Sequence, residues 1–198
     1  MSVAVRCALS ALLATVAVAP VAATPPQPAS RPRQADSEAA HRYFTDLVLV
    51  DHEGRSQRLY SDLLRDKVVV VSSFFTSCTD SCPIIMGKLT RIQDAFGDRL
   101  GRDVHMLSLT VDPATDTPTR MKEYATRLGT RPGWYLLSGE PVNVRLALRK
   151  LGQAAKTKEA HLNILIIGNE RTGLWKKAMA LAAPDELVRL VQGVLEDR

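Results

Sequence analysis

The run VVVVSSFF, Val68 to Phe75, lacks both charge and the apolar-polar alternation of a strand with one wet face. A β-branched stretch of this kind, bounded by Lys67 and by a cysteine-bearing loop, reads as a strand buried on both sides. Such a strand needs a covering layer above and below, and the neighbouring segments supply candidates. Ile85, Leu89, Ile92 and Phe96 recur at steps of four, three and four, which predicts a helix with one apolar face ending at Gly97. Beyond it VHMLSLTV predicts a strand, Pro118 to Leu128 a helix capped by Thr117, Trp134 to Leu137 a short strand, and Pro141 to Leu151 a helix. LNILIIG, the turn NERTG and LWKKAM predict a hairpin, and PDELVRLVQGVL a closing helix with Pro184 in its first position. Ahead of the central run, YFTDLVLV predicts a strand, DHEG a turn and SDLL a short helical segment. Strands alternating with helices argue for an α/β layer structure, and the terminal hairpin makes the expected sheet a mixed one.

At 198 residues the chain is long enough for one well-buried core and short for two. Its N-terminus, MSVAVRCALSALLATVAVAPVAATPPQP, has one early charge at Arg6 and none from Cys7 to Ala23, closing on small residues. Residues 1–23 therefore read as a secretory signal peptide cleaved before Thr24, with an uncleaved N-terminal anchor as the alternative. Either reading places the body of the protein outside the cytoplasm, in the periplasm, soluble or tethered to the inner membrane. Residues 24–41 open with TPPQPASRPRQ, rich in Pro and without apolar periodicity, which predicts a flexible tether ahead of a domain over residues 42–198. The net charge of +5 is mild, compatible with an acidic partner or a lipid surface. No nucleic-acid partner is expected, because the basic residues are dispersed and no aromatic-basic stripe appears.

Cys7 belongs to the export segment, which leaves Cys78 and Cys82 in FFTSCTDSCP. A helix opening near Cys78 would set their Cα atoms about 6 Å apart on one face. That separation suits a disulfide and equally two thiolates on one metal ion. A structural bridge closing so small a loop would stabilise little. A helix N-terminus is expected to lower thiol pKa values, so the pair reads as reactive. Cys78 would attack and Cys82 resolve in a redox couple. In a metal site, two soft sulfurs match Cu(I) or Zn(II), with an imidazole as third donor. The places three and seven before Cys78 hold Phe75 and Val71, so no hydroxyl is set to polarise a peroxide. His41 borders the tether, His52 lies in a turn, and His105 reads as a satisfied core or edge histidine within a strand. His161 stands just ahead of a strand and after a basic loop. Met86 reads as core filling, Asp112 as a turn former or site group, Asp80 as a helix cap, and Trp134 and Trp175 as packing residues.

The order of FFTSCTDSCP, LSLTVDPATDTP and a histidine ahead of NILIIGNERTG resembles the SCO/SenC family of exported copper proteins, over about Tyr43 to Leu195. The resemblance implies a thioredoxin-like α/β fold, its central mixed sheet flanked by helices. It implies copper bound through Cys78, Cys82 and His161. It also implies delivery to the CuA-bearing subunit of cytochrome c oxidase or to another exported copper protein. An exported thiol-disulfide oxidoreductase, reducing a partner's cysteines through Cys78 and Cys82, is the alternative. Two positions depart from the family's usual pattern: Thr79 replaces a Pro after the first cysteine, and Ala160 replaces an Asp before the histidine, with Glu159 one place back. Loss of a carboxylate beside an imidazole ligand is expected to weaken metal binding roughly 10- to 100-fold.

Overall fold

The computed structural model describes residues 32–155, 157 and 163–197, with residues 32–36 described by their backbone alone. The expected signal peptide and the tether as far as residue 31 lie outside the described residues. The strands are β1 Val48–Asp51, β2 Ser56–Arg58, β3 Val68–Phe74, β4 Val104–Thr110, β5 Trp134–Ser138, β6 Ile164–Asn169 and β7 Leu174–Met179. The helices are α1 Pro32–Phe44, α2 Ser81–Phe96, α3 Pro118–Leu128, α4 Pro141–Lys150 and α5 Pro184–Leu195, with a wide π-type turn at Leu59–Leu64. The strands form one sheet in the order β2-β1-β5-β4-β3-β6-β7. β3, β4 and β5 run parallel, and the remaining neighbours pair antiparallel. This is a thioredoxin-like α/β arrangement with helices on both faces of a mixed sheet.

Every residue of β3 is buried, and the strand's period of two divides its side chains between two cores. Val68, Val70 and Phe74 pack with α2, α3 and α5 on one face. Val69 and Val71 pack with α1, α4 and the π-type turn on the other. Ser72 is accommodated by pairing: its Oγ lies 2.8 Å from Ser108 Oγ, and Trp134 Nε1 donates to Ser108 Oγ at 3.0 Å, whereas the buried Ser73 Oγ has no partner among the described residues. At the sheet edge Trp175 lies flat over Gly168, where a Cβ would fall 2.2 Å from the ring. That glycine is required by close approach, not by its backbone angle.

The segment read as a tether over residues 24–41 is helical from Pro32, so the folded unit begins ten residues before the expected boundary. Its only apolar positions before the end are small alanines, which carry no visible periodicity. The helix is fastened instead by specific contacts: Phe44 enters the core, His41 stacks on Tyr60 at 4.8 Å, and Tyr60 Oη lies 2.9 Å from the Ser37 carbonyl. The strand expected from YFTDLVLV accordingly starts only at Val48. In the DHEG turn, buried Asp51 accepts from the Glu53 and Arg55 N–H groups, Arg55 Nε and Gln57 Nε2, at 2.9–3.0 Å.

His105 on β4 is buried, but it is not the satisfied histidine expected, since its Nδ1 has no hydrogen-bond partner. Burial pushes its pKa down to about 4, and Lys67 adds to the effect, against a hydrogen bond to the Gly101 backbone. The unfolded chain, with a histidine near 6.5, therefore binds more protons between those values. Stability from this group is fully present above about 6.5 and is lost as the pH falls toward 4. Urea unfolding should show a loss of about 2 kcal/mol between pH 7 and pH 5, and His105→Phe should remove most of that slope. An unchanged slope in the variant would show that other groups control acid stability.

Candidate metal centre

The two cysteines flank the junction between the central strand and its helix. β3 ends at Phe74, and α2 starts at Ser81, not near Cys78. The reason is Pro83: in a helix opened at Cys78 it would have to donate to the Thr79 carbonyl, and it has no N–H. In a helix starting at Ser81 the same proline falls among the first residues, whose N–H groups have no intrahelical partner anyway. Cys78 therefore sits in the loop, its N–H donating to the Phe75 carbonyl at 3.2 Å, and only Cys82 belongs to the helix. Asp80 occupies the N-cap position without a side-chain capping bond, so its expected capping role is not realised.

Neither cysteine is in a disulfide, and the two thiols are hydrogen-bonded to each other. Cys78 is half-buried and Cys82 is 1% exposed. Burial pushes the Cys82 thiol up to about 12, the hydrogen bond with Cys78 adds to the shift, and a backbone hydrogen bond from Phe75 only partly opposes it. The expectation that the helix end lowers both thiols is thus overturned for Cys82, because desolvation of the thiolate outweighs the dipole. Tyr124 on α3 closes the site from the side. Its ring stacks on Phe74 at 5.7 Å, and its pKa is pushed up to about 12 by burial and then by the two cysteines.

The cysteine loop is held by a carboxylate that the sequence reading did not single out. Asp116 is fully buried and accepts from the Thr76 N–H at 3.2 Å, from the Thr76 hydroxyl, and from the Thr110 hydroxyl at the end of β4. It fixes the chain two residues before Cys78 to the neighbouring strand. Asp112, the acidic residue noticed in the same motif, forms the turn: its carbonyl accepts from the Thr115 and Asp116 N–H groups at 3.0 and 2.9 Å. The available clue was a second Asp in TVDPATDTP immediately before the helix cap Thr117, whose Oγ accepts from the Arg120 N–H. Met86 is fully buried in the core as expected.

Among the described residues no three His, Cys, Asp or Glu side chains converge on a metal-sized position. His41 pairs with Asp46 at 3.4 Å, and His52 Nδ1 accepts from the Leu136 N–H at 3.2 Å. His52 lines a cleft of about 650 Å³ with Lys122, Arg131 and Tyr135 at the start of β5, at the other end of the sheet from the cysteines. His161, with Glu159 and Ala160, lies outside the described residues. Described residues before and after it are tied to the central strand and to the start of α2. Gln153 Nε2 donates to the Val71 and Ile164 carbonyls at 3.3 Å. Ser81 Oγ, next to Cys82, donates to Asn163 Oδ1 at 3.0 Å.

The sequence profile of the SCO1/SenC family matches residues 35–177. The chain therefore belongs to the SCO1/SenC family. An SCO2-like protein of Rickettsia conorii is 34% identical over 79 residues, which are 40% of this chain and 37% of that relative. The match thus spans little more than a third of the relative's length. Yeast Sco1 with copper bound superposes with a TM-score of 0.62 at 22% identity, covering 76% of this chain and 91% of that one. BsSco, described as a Sco-family cytochrome c oxidase assembly protein with a disulfide switch, gives a TM-score of 0.63 at 21% identity, covering 76% and 92%. At such identities these likenesses establish the shared fold.

Asp116→Asn keeps the shape of the buried carboxylate but leaves a single accepting oxygen for three donors. It should reduce stability by about 2 kcal/mol, the scale of a buried donor left unpaired, and speed iodoacetamide labelling of Cys82. Unchanged unfolding and labelling would show that the clamp is not what holds the loop.

Proposed function

We propose that this protein binds copper through Cys78, Cys82 and His161 and delivers it to the CuA-bearing subunit of cytochrome c oxidase. The observation that carries the reading is the pair of reduced, mutually hydrogen-bonded thiols beside Ser81, which bonds to Asn163, two residues after His161 in the sequence. Two sulfurs side by side are the soft donors that Cu(I) prefers, and an imidazole suits copper as third ligand. The copper in yeast Sco1 and the oxidase-assembly role stated for BsSco support the same reading by family membership. Bound copper would supply a transferable charge. The protein's part is to hold two deprotonated sulfurs on a rigid junction while the third donor stands on a separate chain segment, where it can be exchanged.

The N-terminal signal or anchor over residues 1–23 supports an exported protein, released or held at the membrane surface. Among the described residues no helix is long and apolar enough to cross a membrane. Ala160 stands where the family's usual pattern has an Asp before the histidine.

Copper titration of the reduced full chain should give one equivalent bound, with sulfur-to-copper absorption. Cys82→Ala should abolish the band, and His161→Ala should shift or abolish it. Equal retention by the wild-type chain and both variants would overturn the assignment.

A thiol-disulfide exchange role is the second reading, favoured by the difference in exposure between the two sulfurs. Cys78 is accessible for attack and Cys82 is shielded, which is the division of labour between attacking and resolving thiols. The disulfide switch stated for BsSco is in keeping with it. Reduction of a partner disulfide at equal rates by the wild-type chain and His161→Ala would support this reading. No exchange with any disulfide would remove it.

A further inference from the structure

Among the described residues, few large apolar side chains are strongly exposed. Two of them, Ile84 at 57% and Leu181 at 46%, lie together at the cysteine end of α2. Their adjacency follows from the contacts around them. Ile84 shares a helix face with Ser81, three residues before it, and Lys88, four residues after it. Ser81 bonds to Asn163, whose carbonyl accepts from the Ala180 N–H, and Lys88 Nζ donates to the Leu181 and Ala182 carbonyls at 3.0 and 2.6 Å. Ile84 is thus flanked on both sides by residues gripping the segment that carries Leu181. Exposed Pro83 and Gly87 border it on the helix, and a Cβ on Gly87 would meet nothing within 4 Å. Met179, 62% exposed, ends β7 two residues before Leu181.

We propose that this ridge, Pro83, Ile84 and Leu181 with the open surface at Gly87, is the docking surface for the protein that exchanges copper with the cysteine pair. The inference rests on the copper reading above and adds where the acceptor sits. An exposed apolar patch of grouped side chains marks an interaction site, whereas single scattered ones carry no such meaning. The patch starts one residue after Cys82, so a domain seated on it brings its own donor atoms to the accessible sulfur of Cys78. The charge around the patch specifies the partner's chemistry. On the same helix face Ile84 is followed by Lys88 and by exposed Arg91, while exposed Asp80 precedes the helix and exposed Asp185 and Glu186 open α5 beyond Leu181. The matching surface is an apolar contact beside a copper-accepting site, with carboxylates on the edge that meets Lys88 and Arg91. The opposite flank, on α3, is unlike it: Arg120, Glu123 and Arg127 line a polar cleft of about 380 Å³ with Thr76.

The test is copper transfer from the loaded full chain to a purified soluble CuA domain, alongside transfer to the small chelator bathocuproine disulfonate. Ile84→Glu and Leu181→Glu should slow transfer to the protein acceptor roughly tenfold, the scale of losing a central interface residue. Transfer to the chelator should stay within about twofold. Gly87→Tyr, which adds bulk where there is room for it, should slow protein transfer in the same way. Val142→Glu alters an equally exposed apolar residue (53%) on α4, which packs on the other face of the sheet, and should change neither rate. Protein transfer unaffected by the three ridge substitutions overturns the proposal while leaving copper binding intact. So does ridge-dependent binding to anionic vesicles with protein transfer preserved, which would make the patch a membrane contact. Failure of the wild-type chain to take up copper refutes the copper reading itself and the inference with it.

Discussion

The placement of Cys78 depends on a carboxylate that does not touch it. Asp116 gathers the hydroxyls of Thr76 and Thr110 and the N–H of Thr76 around one buried charge. A buried carboxylate is tolerated only when its oxygens are well supplied with donors. The clamp and the loop therefore depend on each other: the loop satisfies the charge, and the charge fixes the loop. Because Thr110 ends β4 and Thr76 follows β3, the bond also joins two adjacent strands at the end where the site lies. The sulfurs thereby inherit the rigidity of the sheet, although Cys78 itself lies in irregular chain.

The same junction gives the two sulfurs different characters. Cys82 is carried into the core by the first turn of α2, among Phe75, Ile85 and Met86. Desolvation holds its proton, so it is quiet until a partner for its charge arrives. Cys78, in the loop, keeps access to solvent. A metal ion would satisfy both at once, and a disulfide substrate would meet Cys78 first. The two functional readings thus draw on one physical asymmetry, and they separate at the third donor, which only the metal reading requires.

A comparable division of labour appears around the site. On one side α3 offers charge and a polar cleft, with Tyr124 filling the space beside the sulfurs. On the other, α2 and the turn after β7 meet through Lys88 and leave an apolar ridge exposed. Gln153 and Asn163, before and after His161 in the sequence, are hydrogen-bonded to Ile164 and to Ser81 respectively. The sheet thus acts as a frame, and the chemistry is assembled from segments that leave it and return.

Much of this was legible in the residues. The uninterrupted β-branched run could only be a strand covered on both faces, and the stripe of Ile85, Leu89, Ile92 and Phe96 could only be one side of a helix, because side-chain period follows directly from backbone geometry. Proline positions fixed the starts of α3, α4 and α5 for the same local reason. Other features were not local. The helix Pro32–Phe44 has too little apolar signal to be read, since it is held by contacts with Tyr60 and Trp175, contributed from distant parts of the chain. The late start of α2 was readable from Pro83 but competed with the attractive spacing of the cysteines. The raised pKa of Cys82, the Asp116 clamp and the Ile84–Leu181 ridge arise where residues far apart in the chain meet. Burial and long-range hydrogen bonds are properties of that meeting, so only the folded chain decides them.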